Sequence, residues 1–305
     1  IGLLFAIAAV ATVVVKLLHG LPERLPTQAL QAIENLEVAQ EIRPFCVPLS
    51  KSKGAPCQFG LMGHSDFVIV GDSHAAALAP ELADELLKRA GVEGITSLSS
   101  NGCAFLHNAI VEGYQAAQCQ RKNEEVLAQV KKWHPRALIL IARWANLDSD
   151  VRAPGDGETS KRLYSTINAK RQITLADALI QTIEQMKQAG IKVIIVGPVP
   201  EIDFDVPQAL VRMRWYGVPV PVTELNGFMR RQRRVLASLA WTHRITGVPV
   251  VYPHLILCSK QACTTTIKNT PLYFDDDHLS AIGSKLVAPA IAKAADAILN
   301  RSRQH

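Results

Sequence analysis

A serine becomes a useful nucleophile only when a base takes its proton, and a histidine oriented by a carboxylate does that well near neutral pH. The sequence carries these three residue types in two short strings. The first is Val68-Ile69-Val70-Gly71-Asp72-Ser73-His74-Ala75. It reads as a buried strand, a Gly-Asp-Ser turn and an immediate helix start. Such a turn exposes the Ser73 hydroxyl at the strand's C-terminal edge. It also sets Ser73 at a helix N-terminus, where N–H groups and the dipole stabilise a developing oxyanion. The competing use of Ser73 is as a simple N-cap. The second string is Phe274-Asp275-Asp276-Asp277-His278-Leu279-Ser280. Asp275 precedes His278 by three, so one turn brings its carboxylate to the imidazole. The competing use is solvation, with Asp277 or Ser280 capping the last helix.

These residues need a frame that joins positions about 205 apart in the chain. From Asp66 onward, apolar β-branched runs recur at Phe67–Val70, Gly94–Leu98, Ala137–Ile141, Lys192–Val196 and Val248–Val251. Helical patterns follow at His74–Arg89, Arg121–Lys132, Thr174–Ala189, Thr223–Arg244 and Ser280–Leu299. This alternation predicts a parallel sheet of about five strands with helices on both faces, a three-layer α/β/α fold. Two longer loops, Asp148–Tyr164 and Pro198–Pro221, leave C-terminal strand ends, where α/β sheets bind their ligands. Leu21–Gly63 reads as a proline-rich connector with one helix at Thr27–Ile42.

The 305 residues are 48% hydrophobic, which excludes a wholly disordered chain, and a single apolar run excludes a polytopic membrane protein. That run, Ile1–Val15, has no basic stretch before it and no polar face, so it reads as the end of a transmembrane helix, with a buried core helix as the alternative. The expected division is 1–19 membrane helix, 20–63 linker and 64–305 catalytic domain.

The net charge of +6 sits in one window. Arg212–Arg244 holds seven arginines against Glu224, so the remainder is near neutral and nucleic-acid binding is not expected. The cluster Arg230, Arg231, Arg233 and Arg234 reads as a solvated helix face or a contact for anionic glycan, lipid headgroups or a membrane domain. Trp144, Trp215 and Tyr216 fit either sugar stacking or core packing.

Six cysteines fall as three local pairs: Cys46 with Cys57, Cys103 with Cys119, and Cys258 with Cys263. Pairing by proximity is one of fifteen possibilities, and six reduced buried thiols is the alternative. Disulfides would imply an oxidising compartment. No zinc spacing occurs, and neither a metal nor a bound cofactor is expected.

The Gly-Asp-Ser-His block and the Asp-x-x-His block, in this order, resemble the SGNH/GDSL hydrolase superfamily. The resemblance implies a flavodoxin-like fold with Ser73, His278 and Asp275 as the triad. It assigns the oxyanion hole to Ser73, Gly102 and Asn146. Gly102 follows the second strand in Ser99-Ser100-Asn101-Gly102-Cys103, where it also suits a plain turn. Asn146 lies in Ala142-Arg143-Trp144-Ala145-Asn146-Leu147-Asp148, which departs from the family's Gly-x-Asn-Asp. Arg143 or Trp144 could line the site instead. With that altered block, the sequence is similar to the periplasmic SGNH domains fused to bacterial acyltransferase-3 membrane proteins. This resemblance implies O-acetylation of a cell-surface glycan such as lipopolysaccharide O-antigen, at the inner membrane with the domain in the periplasm. The donor would derive from acetyl-CoA through the membrane domain. Two alternatives use the same residues: a carbohydrate acetylesterase, and a glycan-binding module with a vestigial site.

Overall fold

The computed structural model describes residues 10, 12–16 and 56–302, except 114, 156, 169 and 170. Six strands form the central sheet: β1 (Cys57–Gly60), β2 (Phe67–Gly71), β3 (Gly94–Ser99), β4 (Ala137–Ile141), β5 (Lys192–Val196) and β6 (Val250–Val251). Their order is β1-β3-β2-β4-β5-β6. All pairings are parallel except that of β1 with β3. The sheet thus exceeds the expected five strands by one antiparallel edge strand, β1, taken from the segment read as connector. Cys-Gln-Phe-Gly is too short to show a period, and only its pairing with β3 reveals it.

Strands with every residue buried, such as β2 and β4, send alternate side chains to opposite faces. Phe67, Ile69, Ile139 and Ile194 belong to one core, and Val68, Val70, Leu138 and Ile195 to the other. Helices α1 (Ser73–Leu87) and α6 (Ala281–Ser302) cover the first face. Helices α2 (Ala116–Trp133), α3 (Leu175–Gln188) and α5 (Leu225–Thr246) cover the second. The segment 198–221, read as loop, contains a further helix, α4 (Val206–Tyr216). Its start is fixed by Asp205, whose side chain caps Gln208 N at 2.8 Å, and Pro207 suits the first turn.

The strand order reverses at β2, which has β3 on one side and β4 on the other. A crevice therefore opens at its C-terminal end. Gly71 ends β2 there with φ +149°, and a Cβ on it would lie 1.6 Å from Ile141 O. Only glycine lets the Gly-Asp-Ser turn pass this close to β4.

The segment Ile1–Val15 falls mostly outside the described residues, as do residues 17–55 with Cys46 and the expected helix Thr27–Ile42. Val10 and residues 12–16 are helical. Among the described residues, no helix is long and apolar enough to cross a membrane. Two of the expected disulfides, Cys103–Cys119 and Cys258–Cys263, are formed. The third expected pair includes Cys46 and so lies outside the described residues.

Candidate active site

The fold brings the two strings together. His278 Nε2 lies 2.7 Å from Ser73 Oγ, and His278 Nδ1 lies 2.8 Å from Asp275 Oδ2. Asp275 is itself fixed, because its Oδ1 accepts from the N–H of Asp277 at 2.9 Å and of His278 at 2.7 Å. The Phe274 ring stacks on the imidazole with centroids 5.0 Å apart. Carboxylate, base and hydroxyl thus form one hydrogen-bonded line.

Ser73 is not the cap of α1. Asp72 occupies that position, and its Oδ1 accepts from His74 N at 3.0 Å. Its Oδ2 accepts from Arg143 N at 2.8 Å, which ties the Gly-Asp-Ser turn to the loop after β4. The serine hydroxyl is therefore released from capping and directed to the histidine.

A second carboxylate, read from the sequence only as a possible helix cap, stands on the same nitrogen. Asp277 Oδ1 lies 2.6 Å from His278 Nδ1, with the Asp277 side chain almost fully buried. Its Oδ2 contacts Arg143 Nε at 2.9 Å and His74 Nε2 at 3.3 Å. Arg143 continues to Glu201, and Glu201 Oε2 accepts from Arg231 Nε at 2.7 Å. Arg231 is buried, so the arginine cluster on α5 is not one solvated face. Arg233 and Arg234 pair with Asp150 and Asp148. The arrangement is a chain of alternating charges running from the imidazole into the interior. Its only sequence signal was the extra acid beside His278 and the arginine in the altered third block.

Burial works against a charged His278, but hydrogen bonds to Asp275 and Asp277 overcome it and push its pKa up to about 10. The imidazolium, led by its hydrogen bond to Asp277 and joined by His74, holds the Asp277 carboxyl far below the usual range despite its own burial. The sign follows directly. The raised value stabilises the fold fully below about pH 6.5, and this contribution is lost as pH rises through about 10. If His278 serves Ser73 as a general base, that activity runs the other way, since only the neutral imidazole can accept a proton. Ester turnover should therefore climb on the alkaline side. Asp277→Asn should move that limb to lower pH, because one of the two anions is gone. A kcat/KM profile over pH checks this, and an unmoved limb in Asp277→Asn would refute it.

A cleft of about 440 Å³ opens beside Ser73 and His278. Ser73, Gly102, Arg143, Asn146, Lys161 and His278 are among its walls. Gly102 has φ +69°, in the left-handed region that favours glycine. Its loop is held by Ser100 N donating to Gly71 O at 2.8 Å and by the neighbouring Cys103–Cys119 bridge. Asn146 ends a short 3₁₀ turn, Trp144–Asn146. Its Nδ2 donates to Glu158 at 2.7 Å and its Oδ1 accepts from Arg231 at 3.1 Å. Trp144 is core, with no exposed surface and its Nε1 donating to Val196 O at 2.7 Å. The loop read as Asp148–Tyr164 leans over the histidine loop: a Cβ on Gly155 would lie 1.8 Å from Asp276 Oδ2.

Among the described residues, two groups carry ligand-type atoms within 4.8 Å of one another: His74, Asp277 and His278, and Asp275, Asp276 and Asp277. In the first, Arg143 already supplies the positive charge at Asp277, and His278 is engaged with Ser73. That chemistry suits an ion-paired network better than a cation site.

A Gly-Asp-Ser turn at the switch point of a mostly parallel sheet, facing a histidine loop before the last helix, defines an SGNH-type α/β domain. The family model of the SGNH domain fused to AT3 domains matches residues 45–293, and the chain belongs to this family. Among solved structures, it is similar to the periplasmic domain of a lipopolysaccharide acetyltransferase from Salmonella ser. Paratyphi A. The TM-score is 0.59 at 17% identity, covering 90% of this chain and 98% of that one. At that identity the likeness speaks for the fold. No curated protein sequence matches the chain.

Proposed function

We propose that the chain is the O-acetyltransferase domain of a protein carrying an AT3 membrane domain, and that it acetylates a hydroxyl of a cell-surface glycan such as lipopolysaccharide O-antigen. Ser73 Oγ attacks the carbonyl carbon of the acetyl donor, and its proton passes to His278 Nε2. The oxyanion is met by the N–H groups of Ser73 and Gly102. Asn146 is the third donor only after its amide leaves Glu158. The donor's leaving group takes the proton from His278, and the acetyl remains on Ser73. The sugar hydroxyl then attacks that ester, yields its proton to His278, and Ser73 departs with a proton returned from it. Asp275 keeps Nδ1 protonated and the ring aimed throughout. The donor is supplied on the membrane side, ultimately from acetyl-CoA, and no metal takes part.

The observation that carries this reading is the 2.7 Å contact of His278 Nε2 with Ser73 Oγ inside a chain of the AT3-fused family. The test gives wild-type protein an activated acetyl ester with and without O-antigen polysaccharide. Acetylated polysaccharide, with turnover raised by the acceptor, is expected. Turnover that ignores the acceptor and yields only acetate would point to an esterase. No turnover in either condition would leave a glycan-binding module.

A further inference from the structure

Four of the seven arginines that make up the chain's positive window, Arg212, Arg214, Arg230 and Arg244, remain exposed and take no part in the charge network. Two of them sit on α4 beside an apolar protrusion. Arg212 and Arg214 are followed by Trp215, 40% exposed, and Tyr216, 71% exposed, whose rings meet edge to face at 5.9 Å. The chain then runs Gly217-Val218-Pro219-Val220-Pro221-Val222, with Val218 and Val222 also open to solvent at 51% and 70%. No acidic residue lies between Asp205 and Glu224.

This protrusion is built rather than slack. Gly217 closes α4 in the left-handed conformation at φ +67°. Thr223 pairs with Cys263, which is bonded to Cys258. At its other end α4 abuts the site, with Val206 N donating to Asp275 O at 3.3 Å.

We propose that this tip docks on an anionic lipid bilayer. An amphipathic Trp-Tyr pair belongs at the headgroup level, and arginines beside it attract negative headgroups. Pro219 and Pro221 have no N–H, so the segment enters the interface with fewer backbone donors to desolvate. A flat lipid surface needs no matching pocket, which suits a solvent-exposed loop. The inference goes beyond the proposed activity and does not depend on it. Docked, the tip would hold the mouth of the active site at a fixed height above the membrane.

The full chain in vesicles tests this through tryptophan quenching by brominated lipid. The sequence has tryptophans only at 133, 144, 215 and 241, so insertion of its first residues is silent in this signal. We expect stronger quenching in brominated phosphatidylglycerol–phosphatidylcholine vesicles than in brominated phosphatidylcholine alone. Trp215→Phe should remove most of it and Trp241→Phe little. Arg212→Gln with Arg214→Gln should lower the docked-to-undocked ratio about fivefold per arginine. Matched thermal unfolding midpoints show that these variants fold. Quenching that survives Trp215→Phe, or that is equal in the two lipids, overturns the proposal. So does shielding of Trp215 from acrylamide without quenching by lipid, which would mean a protein partner.

Discussion

Ser73→Ala should lower acetyl-ester turnover by about 10⁴–10⁶-fold while leaving the fold intact. The first half follows from removing the hydroxyl that His278 Nε2 touches at 2.7 Å. The neighbouring donors and the cleft stay, so some acceleration over water survives. The second half follows from who caps α1. Asp72 holds His74 N and Arg143 N, and the serine side chain does neither. Had Ser73 been the cap, its loss would cost about 1 kcal/mol of stability. The variant should instead unfold within about 0.5 kcal/mol of wild type, as expected for a change away from any structural contact. Turnover and a urea titration on the same preparation check both halves. A folded Ser73→Ala that keeps more than about a tenth of wild-type turnover would exclude the nucleophile.

The largest effect on stability should come from Arg231→Ala. Arg231 and Glu201 are both about 3% exposed, and they pair at 2.7 Å. Removing one member of a buried ion pair leaves the other charge uncompensated, at a cost of about 3–5 kcal/mol. Glu201 would retain Arg143 and the Gln232 amide, the latter at 3.3 Å, which places the expectation at the lower end. For a domain of this size, that lowers Tm by roughly 10 °C. Arg230→Ala, one residue away but exposed, should change stability by about 0.5 kcal/mol or less. Equal melting of the two variants would show that the network does not hold this part of the molecule. The loss also reaches the chemistry, because Arg143 spans Glu201 and Asp277. Turnover measured well below Tm should fall in Arg231→Ala beyond the unfolded fraction.

The sheet was legible because its strands are continuous apolar runs, and a run such as Val193-Ile194-Ile195-Val196 needs cover on both sides. The edge strand Cys57–Gly60 was not, because four residues of mixed type carry no period. Helix α4 was hidden by Pro207, Pro219 and Pro221, which make its surroundings read as loop although the first of them suits a helix start. Ser73, His278 and Asp275 stood out because their chemistry is written in local spacing. The charge network of Asp277, Arg143, Glu201 and Arg231 did not, since Arg143 reaches Asp277 and Glu201, and Glu201 reaches Arg231, only across tens of residues. The same holds for Arg231 within its cluster: four arginines on one helix look alike until the fold buries one of them.

The central claim is that Ser73 carries the acyl group. Mixing the protein with an activated acetyl ester, quenching in acid within the first turnover and mapping peptides by mass spectrometry tests it directly. The expected result is a single acetyl adduct on the peptide containing Ser73, lost when the polysaccharide acceptor is added before the quench and never formed in Ser73→Ala. Turnover in the wild type together with an adduct on another residue, or an unchanged adduct in Ser73→Ala, would contradict it.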